Sequence, residues 1–524
     1  MGELPEGVSL PAARIVEPRP SASVMVSRSS DSGGEILLAH RVPEVPAFPD
    51  FWAFPGGGVS RVDRTALQEN PQWFASRDEE ERLALCALLR ELVEEVGFSP
   101  DGNGGLVAVD AAVRSRICDD KAAWADEVCS GRLIADGTGF SVITHRITPP
   151  LAPIRFDNRF FHFHLHSPAN EDASEDALEP TIPSGRAEFD EFRWWQPHAM
   201  LKAWLAHELR IPPPLVTLIR DLCEIMDTKD YDVVTACEFL ANDVPSGGHR
   251  IEFAPGVECI PLPTDTLPPA THTNCYVLGE PGGERVIIDA AAVSQQSLDE
   301  LAAKISEILA SGSTILATIF THRHPDHIGD LAKISELYTA PIWATSETHE
   351  AIPRCDTDKI LCEGDSFTLN GPSGKVTWQV VVTPGHCPGH LCLVGKAGII
   401  SGDNCVQFGT ILVPSSDGDM NSYLSGLARL RDLSPRLLFP AHGPMIANPA
   451  RLLTHYIEHR SSRHQAVLKA VQSGESRLES IADIAYSNTP DAHPMLKVDQ
   501  TLSHLLAHEN NGFIEQTAGG WAAL

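Results

Sequence analysis

Basic side chains are scarce in this 524-residue sequence: 40 Lys and Arg stand against 70 Asp and Glu, a formal net charge of −30. A surface of that sign repels a polyanion, which disfavours sequence-independent binding of nucleic acid through a basic face. Aromatic residues are also few, at 6%, and single-stranded RNA is usually gripped by aromatic stacking platforms in a basic groove. No run approaches the roughly 18 apolar residues of a membrane span. "MGELPEGVSLPAARIVEPRP" lacks the basic-then-apolar architecture of a secretion signal, and "GGWAAL" is not a peroxisomal address. The expectation is a cytoplasmic protein with small-molecule substrates and no membrane association. No CxxC pair occurs among the 12 cysteines, so they are expected to be reduced core residues. Cys387 and Cys405 alone lie beside candidate chemistry, and Cys405 reads as a small buried hydrophobe.

The length exceeds what one core usually supports. "SASVMVSRS" and "EILLAHRV", split by "DSGG", read as a hairpin leading into the Gly-terminated strand "FWAFPGGGV". "DEEERLALCALLRELVEEVG" (78–97) carries apolar residues at helical spacing, an acidic first turn and Gly97 as a C-cap. Strands are expected near 141–166, a mobile loop at 167–187, and two helices around the triple proline at 212–214. After a boundary near 228–250, short β-runs alternate with helical patterns, the mark of an α/β layered domain. A small tail with two helical patterns closes the sequence. The expected division is 20–228, 251–460 and 461–524.

What is abundant is histidine in one place. "THRHPDHIGD" (321–330) sets His322, His324, Asp326 and His327 within six positions. Imidazole and carboxylate are natural ligands for zinc and similar ions. His322 and His324 follow the apolar run "ILATIF", so strand alternation points both rings to one side. Asp326 and His327 follow Pro325 in the turn. Three more candidates stand at the ends of apolar runs beside glycine: His386 in "VVVTPGHCPGH", Asp403 in "GIISGDNC" and His442 in "LLFPAHGP". The set divides into His322, His324 and His386 for one metal and Asp326, His327 and His442 for another, with Asp403 bridging.

"THRHPDHIGD", "TPGHCPGH", "SGD" and "PAHGP" resemble, in order, the metal motifs of the metallo-β-lactamase superfamily over 251–460. "GDMNSYLSGLARLRDLSPRLLFPAHGPMI" and "YIEHRSSRHQAVL" resemble its lactamase-beta-like branch of endoribonucleases and thioesterases. "VDQTLSHLLAHENNGFIEQ" resembles that branch's winged-helix appendix. The resemblance implies an αβ/βα sandwich with two Zn²⁺ ions, Fe or Mn being alternatives, and a strand-end aspartate, Asp289, supporting the site. Many members have glycine after that aspartate. Ala290 stands there in this sequence, and a small local adjustment without loss of ligands is expected. A two-metal site lowers the pKa of a water held between the ions and polarises the carbonyl or phosphoryl oxygen under attack. Asp326 is placed to orient that water as the catalytic group.

Glutamate is concentrated in "RELVEEVGF" (90–98), where Glu91, Glu94 and Glu95 at i, i+3 and i+4 share a helix face. Three such carboxylates favour a hard cation, Mg²⁺ or Mn²⁺, with Arg90 holding their orientation. The stretch follows "FPGG" and resembles the second half of the Nudix hydrolase box, with Phe98 in place of an aliphatic residue. Counted from Gly57, the first box glutamate falls on Asp63, and Arg90 comes 27 positions later where the pattern has 8. This insertion, with "RFDNRFF" (155–161), "EFRWWQP" (191–197) and "RIPPPLVTL" (210–218), resembles the coenzyme A diphosphatase branch, implying an α/β/α sandwich over about 20–225. In that resemblance Glu91, Glu94 and Glu95 hold the metal, Glu94 and Glu95 act catalytically, and Glu188 or Glu191 serve as weaker candidates for a supporting base.

The expected whole is an α/β and α+β multidomain, bifunctional metal-dependent hydrolase. One half would cleave a diphosphate linkage of coenzyme A or nucleotide type, and the other a small ester or thioester. An alternative is an endoribonuclease acting on single-stranded RNA, with the Nudix-like and winged-helix-like parts as binding modules. A third reading makes the N-terminal half a non-catalytic ligand sensor.

Overall fold

A computed structural model describes residues 13–30, 33–166, 178–185 and 187–524. Most of the insert expected as a loop at 167–187 lies outside them. The chain divides into two compact units, one of Val16–Pro149 with Ile154–Pro255, the other chiefly Gly256–Leu524. No helix among the described residues is long and apolar enough to cross a membrane.

In the first unit, strand Arg19–Arg28 lies at the middle of a mixed sheet, parallel to Phe156–Leu165 and antiparallel to Glu35–Arg41. The two strands expected to flank "DSGG" pair antiparallel, with Ser27 opposite Ile36, while Asp31 and Ser32 of the turn lie outside the described residues. Strand alternation sorts the side chains into two cores. Val24, Val26 and Leu37 pack against Leu85, Leu88 and Leu89 of helix Glu79–Glu91. Met25, Ile36 and Leu38 meet the other layer, helices Pro197–Leu205, Pro213–Lys229 and Val233–Asn242. The long helix expected at 78–97 is in two parts: an α-helix capped by Asp78, then a π-helical turn, Leu92–Val96, ending at left-handed Gly97. Gly97 N–H bonds to Leu92 C=O. The wider turn rotates the chain by less per residue than α-periodicity does, which displaces Glu94 and Glu95 around the axis. Arg114 binds the Glu94 carbonyl that this leaves open.

His162, on the strand Phe156–Leu165, is buried against Ser27 Oγ at 2.8 Å. Burial, helped by His164, pushes its pKa down to about 3. An unfolded histidine takes its proton near 6.5. Stability from keeping His162 neutral is therefore complete above about pH 6.5 and is lost as pH falls toward 3, at about 1.4 kcal/mol per unit. Denaturant titrations at pH 7, 6 and 5 are expected to show this slope, reduced in His162→Gln. An equal slope in both proteins would show that His162 is not its source.

In the second unit two sheets meet. One runs Val257–Pro263, His272–Leu278, Glu284–Ile288, Thr314–Ile319, Ile342–Ala344 and Lys359–Ile360, antiparallel at first and parallel from Glu284 onward. The other runs Ser366–Gly371, Gly374–Val382, Leu391–Gly395, Gly398–Gly402 and Leu438–Pro440. Helix Gln295–Ala310 covers the first sheet through Leu298, Leu301, Ile305 and Ile308. Helices Met420–Asp432 and Pro449–Gln472 cover the second through Tyr423, Leu427 and Leu453. The sheets are tied where their ligand-bearing ends approach: Asn274 N–H bonds to Ala441 C=O at 2.7 Å, and Leu391 N–H to Thr321 C=O at 2.9 Å. Helix Pro449–Gln472 runs unbroken through the 460/461 division drawn from sequence. Beyond it come helices Leu478–Ala485 and Pro494–Asn510 and the hairpin Ile514–Thr517/Gly520–Ala523.

The cysteines are free, but the expectation that they all sit in the core is corrected at Cys118, Cys129, Cys355 and Cys362, which are exposed. These four are on helix ends or loops, where no apolar face encloses them. Cys405 is buried, and burial pushes its thiol up to about 12, the state of an inert core residue.

Candidate functional site

The glutamate cluster forms where the sheet meets the two-part helix. Arg90, 1% exposed, donates to both Asp63 carboxylate oxygens at 2.7 and 3.0 Å. It also donates to Glu91 at 2.8 Å and to Glu94 at 2.7 Å. Asp63 thus holds Arg90 across the long insertion, while also accepting from Ser60 N–H and Oγ–H at the start of helix Arg61–Glu69. Burial alone would raise the Asp63 pKa, but Arg90 and Ser60 hold it below the usual carboxylate range. Glu95 accepts from Gly56 N–H at 2.7 Å. A Cβ on Gly57 would come within 2.5 Å of Glu91 Oε1, so the carboxylate can reach the backbone only because glycine is there. Burial, with Glu91 alongside, raises the pKa of Glu94 and, far more, of Glu95. Glu188 is exposed, pairs with Arg41 and adds to the rise at Glu95, whereas Glu191 pairs with Arg193. Lys121 Nζ lies 3.5 Å from Glu91 Oε1 and 3.4 Å from Glu94 Oε2.

The histidine cluster converges more tightly. The strand Thr314–Ile319 feeds the loop bearing His322 and His324, and the short helix Pro325–Ile328 carries Asp326 and His327. His386 lies between the strands Gly374–Val382 and Leu391–Gly395, Asp403 follows Gly398–Gly402, and His442 follows Leu438–Pro440. His324 Nδ1 is 3.0 Å from both His322 Nε2 and His386 Nε2. Asp403 lies 3.6 Å from His327 Nε2, 3.7 Å from His386 Nε2 and 3.5 Å from His442 Nε2, and His442 Nε2 is 3.6 Å from Asp326. Zn–N bonds of about 2.0–2.1 Å place two ligands of one tetrahedral ion roughly 3.3 Å apart, the spacing seen here. His327 Nε2 and Asp403 Oδ1 are buried without a hydrogen-bond partner. The residues therefore fit a metal ion. Among the described residues, the ligand groups drawn within 4.8 Å all belong to this cluster, and the glutamates are not among them.

The family model of the Metallo-beta-lactamase superfamily matches residues 268–442, a span containing all seven candidate ligands. Those residues are a metallo-β-lactamase superfamily domain. The superfamily is one of hydrolases. The chain is 29% identical over 233 residues to the Beta-lactamase-like protein 2 homolog of Drosophila melanogaster, spanning 42% of this chain and 76% of that protein. It is 27% identical to the Atrochrysone carboxyl ACP thioesterase of Aspergillus fumigatus, over 40% of this chain and 63% of that protein. Among solved structures, a metallo-beta-lactamase family protein from Thermus thermophilus aligns with 52% of this chain and 100% of its own, at 18% identity and TM-score 0.42. A NUDIX hydrolase from Alicyclobacillus acidocaldarius aligns with 41% of this chain and 97% of its own, at 24% identity and TM-score 0.34.

In the metallo-β-lactamase domain most of the candidate ligand rings have their outer nitrogen engaged, which fixes tautomer and direction. His327 Nδ1 meets Asp289 Oδ2 at 2.9 Å, and His322 Nδ1 meets Thr321 Oγ1, whose own proton goes to Asp289. His386 Nδ1 donates to Leu412 C=O at 2.8 Å, and His442 Nδ1 to His272 C=O at 2.9 Å. His324 is turned the other way: Nδ1 faces the cluster and Nε2 lies 3.6 Å from Asp417. Beside Ala290 the backbone adjusts, with Asp289 at φ 51° and Ala291 at φ 44°. Such left-handed non-glycine residues cost on the order of 1 kcal/mol or more each, and here they aim the carboxylate at two ligand branches.

Electrostatics divide the site. Burial, then His327 and His324, keep His322 far below its ordinary pKa, so it offers a neutral nitrogen. Burial opposes charge on His442, but Asp403 carries its pKa up to about 9. His327 is likewise raised by Asp403 and Asp289 against burial. Burial would raise Asp403, while His442 and His327 hold it well below the carboxylate range. Cys387, expected from sequence only to lie beside candidate chemistry, joins His322, His324 and His386 in one potential ligand group. His390, not expected at the site, is buried with Nε2 accepting from Asp403 N–H at 3.0 Å. Both stand in the quoted "TPGHCPGH". Spacing alone gave no sign of which side chains turn inward.

Proposed function

We propose that the chain carries two hydrolytic sites: a dinuclear metallo-β-lactamase site acting on a small ester or thioester, and a Nudix-type site cleaving a diphosphate linkage of coenzyme A or nucleotide type. The observation that carries the first is the convergence of the seven ligands, with His327 Nε2 and Asp403 Oδ1 buried and unpartnered. His322, His324 and His386 would hold one ion and Asp326, His327 and His442 the other, with Asp403 between. Bound Zn²⁺ would supply Lewis acidity and make water a nucleophile near neutral pH. Asp326, on the first turn of its short helix, is the group that orients the attacking water by accepting its proton. The relative named as a thioesterase supports an acyl substrate. The net charge of −30 favours that class over long RNA.

For the N-terminal half, the Asp63–Arg90 pair and the close approach of Gly57 to Glu91 support a Nudix arrangement in spite of the insertion. Glu91, Glu94 and Glu95 would hold Mg²⁺ or Mn²⁺. Burial and Glu91 raise the Glu95 carboxyl well above the usual carboxylate range, the direction that suits a proton-accepting group. A non-catalytic, ligand-sensing N-terminal half is favoured by one observation, the Lys121 ammonium beside Glu91 and Glu94, where it already neutralises charge. Glu94→Gln separates the two. It is expected to abolish Mg²⁺-dependent hydrolysis of coenzyme A or a nucleotide sugar and to leave thioester turnover unchanged. No diphosphate hydrolysis in the wild type would favour the sensor. In a competition at physiological salt, a thioester panel is expected to be turned over in preference to single-stranded RNA. RNA cleavage lost in His442→Ala, with no thioester hydrolysed, would favour a nuclease.

A further inference from the structure

The loop between Asp403 and helix Met420–Asp432 supplies the outer contacts of two ligand rings. Its Leu412 carbonyl accepts from His386 Nδ1 at 2.8 Å, and its Asp417 lies 3.6 Å from His324 Nε2 while also pairing with Arg323. Neither contact comes from a strand. The direction of both rings therefore depends on what fixes the loop.

Helices near the C-terminus fix it. Gln500, on helix Pro494–Asn510 and 7% exposed, pairs with Val413 as one peptide pairs with another: Nε2 donates to Val413 C=O at 2.8 Å, and Oε1 accepts from Val413 N–H at 3.3 Å. Its neighbour Asp499 accepts from Ser415 Oγ–H at 2.6 Å and from Ser415 N–H at 3.3 Å. Arg460, buried on helix Pro449–Gln472, donates to Gln500 Oε1 at 3.0 Å and to Ile411 C=O. Ile411, Val413 and Ser415 are thus held by the helices, while Leu412 and Asp417, interleaved with them or just beyond, face the ligands.

We infer that Gln500 and Asp499 are positioning residues for the metal centre, acting through the loop on His386 and His324, so that the tail helix sets affinity for the ion held by His322, His324 and His386. This rests on the metal-centre reading above. The other set is independent of the tail, since His327 and His442 take their outer contacts from Asp289 and His272. Removing an outer contact of a ligand typically lowers metal affinity about 10–100-fold. The tail is therefore expected to act on one ion and spare the other.

Full-length protein stripped of metal and titrated with Co²⁺ against a chromophoric chelator tests this. The wild type is expected to bind two ions. Gln500→Leu, which keeps volume and loses both loop bonds, and the milder Asp499→Asn are each expected to weaken one ion about 10-fold or more, with a changed cobalt visible spectrum. Gln500→Glu, which retains the acceptor for Val413 N–H and Arg460, is expected to recover part of the loss. Leu505→Ala, buried in the same helix among Val467, Ile481 and Trp521, is expected to lower thermal stability without changing cobalt affinity. Two tightly bound ions in both Gln500→Leu and Asp499→Asn would overturn the inference while leaving the metal centre intact. Equal weakening of both ions, or the same weakening in Leu505→Ala, would reduce the tail to a general structural support. A wild type that binds no cobalt would overturn the metal-centre reading together with the inference.

Discussion

Replacing Arg90 with methionine is expected to destabilise the N-terminal unit by about 3–5 kcal/mol, the usual result of leaving a buried ionic partner uncompensated. Arg90 and Asp63 are each 1% exposed, and the same guanidinium also serves Glu91 and Glu94. Without it, several carboxylates share a buried corner and keep weaker partners such as Ser60, Gly56 and the half-exposed Lys121. Lysine is not an adequate substitute, because Asp63 receives two parallel bonds from a planar fork. The check is thermal unfolding followed by circular dichroism. At about 2–4 °C per kcal/mol for a unit of this size, the midpoint should fall by about 6 °C or more. Combining Arg90→Met with Asp63→Asn should restore part of the loss, because the two changes share one network. A shift below about 2 °C would mean that the network contributes little.

Exchange of Asp403 for asparagine is expected to lower thioester turnover about 10³-fold or more, on the order of 4 kcal/mol in the barrier. The carboxylate approaches His327, His386 and His442 together. Asparagine keeps its shape and removes the charge that would join two ions. Steady-state kinetics on one thioester and one diphosphate substrate is the check. The diphosphate activity is expected to remain, because its ligands lie in another compact unit. Loss of both activities would contradict two separate sites, and retained thioester turnover would remove Asp403 from the reaction.

The convergence of the candidate ligands in the metallo-β-lactamase domain was legible because strand ends are. An apolar run marks where a strand ends and a side chain emerges, and Asp289, His322, Asp403 and His442 all stand at the end of such a run. Counting put Asp63 at the first glutamate position of the box, whereas its pairing with Arg90 across the insertion is seen only in the fold. What the sequence hid was geometry created by packing. The π-turn at Leu92–Val96 keeps an α-helical pattern of residues but shifts Glu94 and Glu95 around the axis. The reversed His324 ring follows from Asp417, 93 positions later, and from a loop that no periodicity describes. Leu412 contributes through its carbonyl, so its side-chain identity carries no information about the site. Glu191 stood in a suggestive stretch, yet its strand sends it to Arg193.

Elemental analysis of the purified full chain tests the central claim most directly, comparing the wild type with His322→Ala and His386→Ala. Both histidines place Nε2 3.0 Å from His324 Nδ1. The account predicts about two transition-metal ions per chain in the wild type and a clear loss in each variant, with thioester hydrolysis falling in step. Metal content unchanged in both variants, or a wild type that hydrolyses thioesters without any metal, would contradict it.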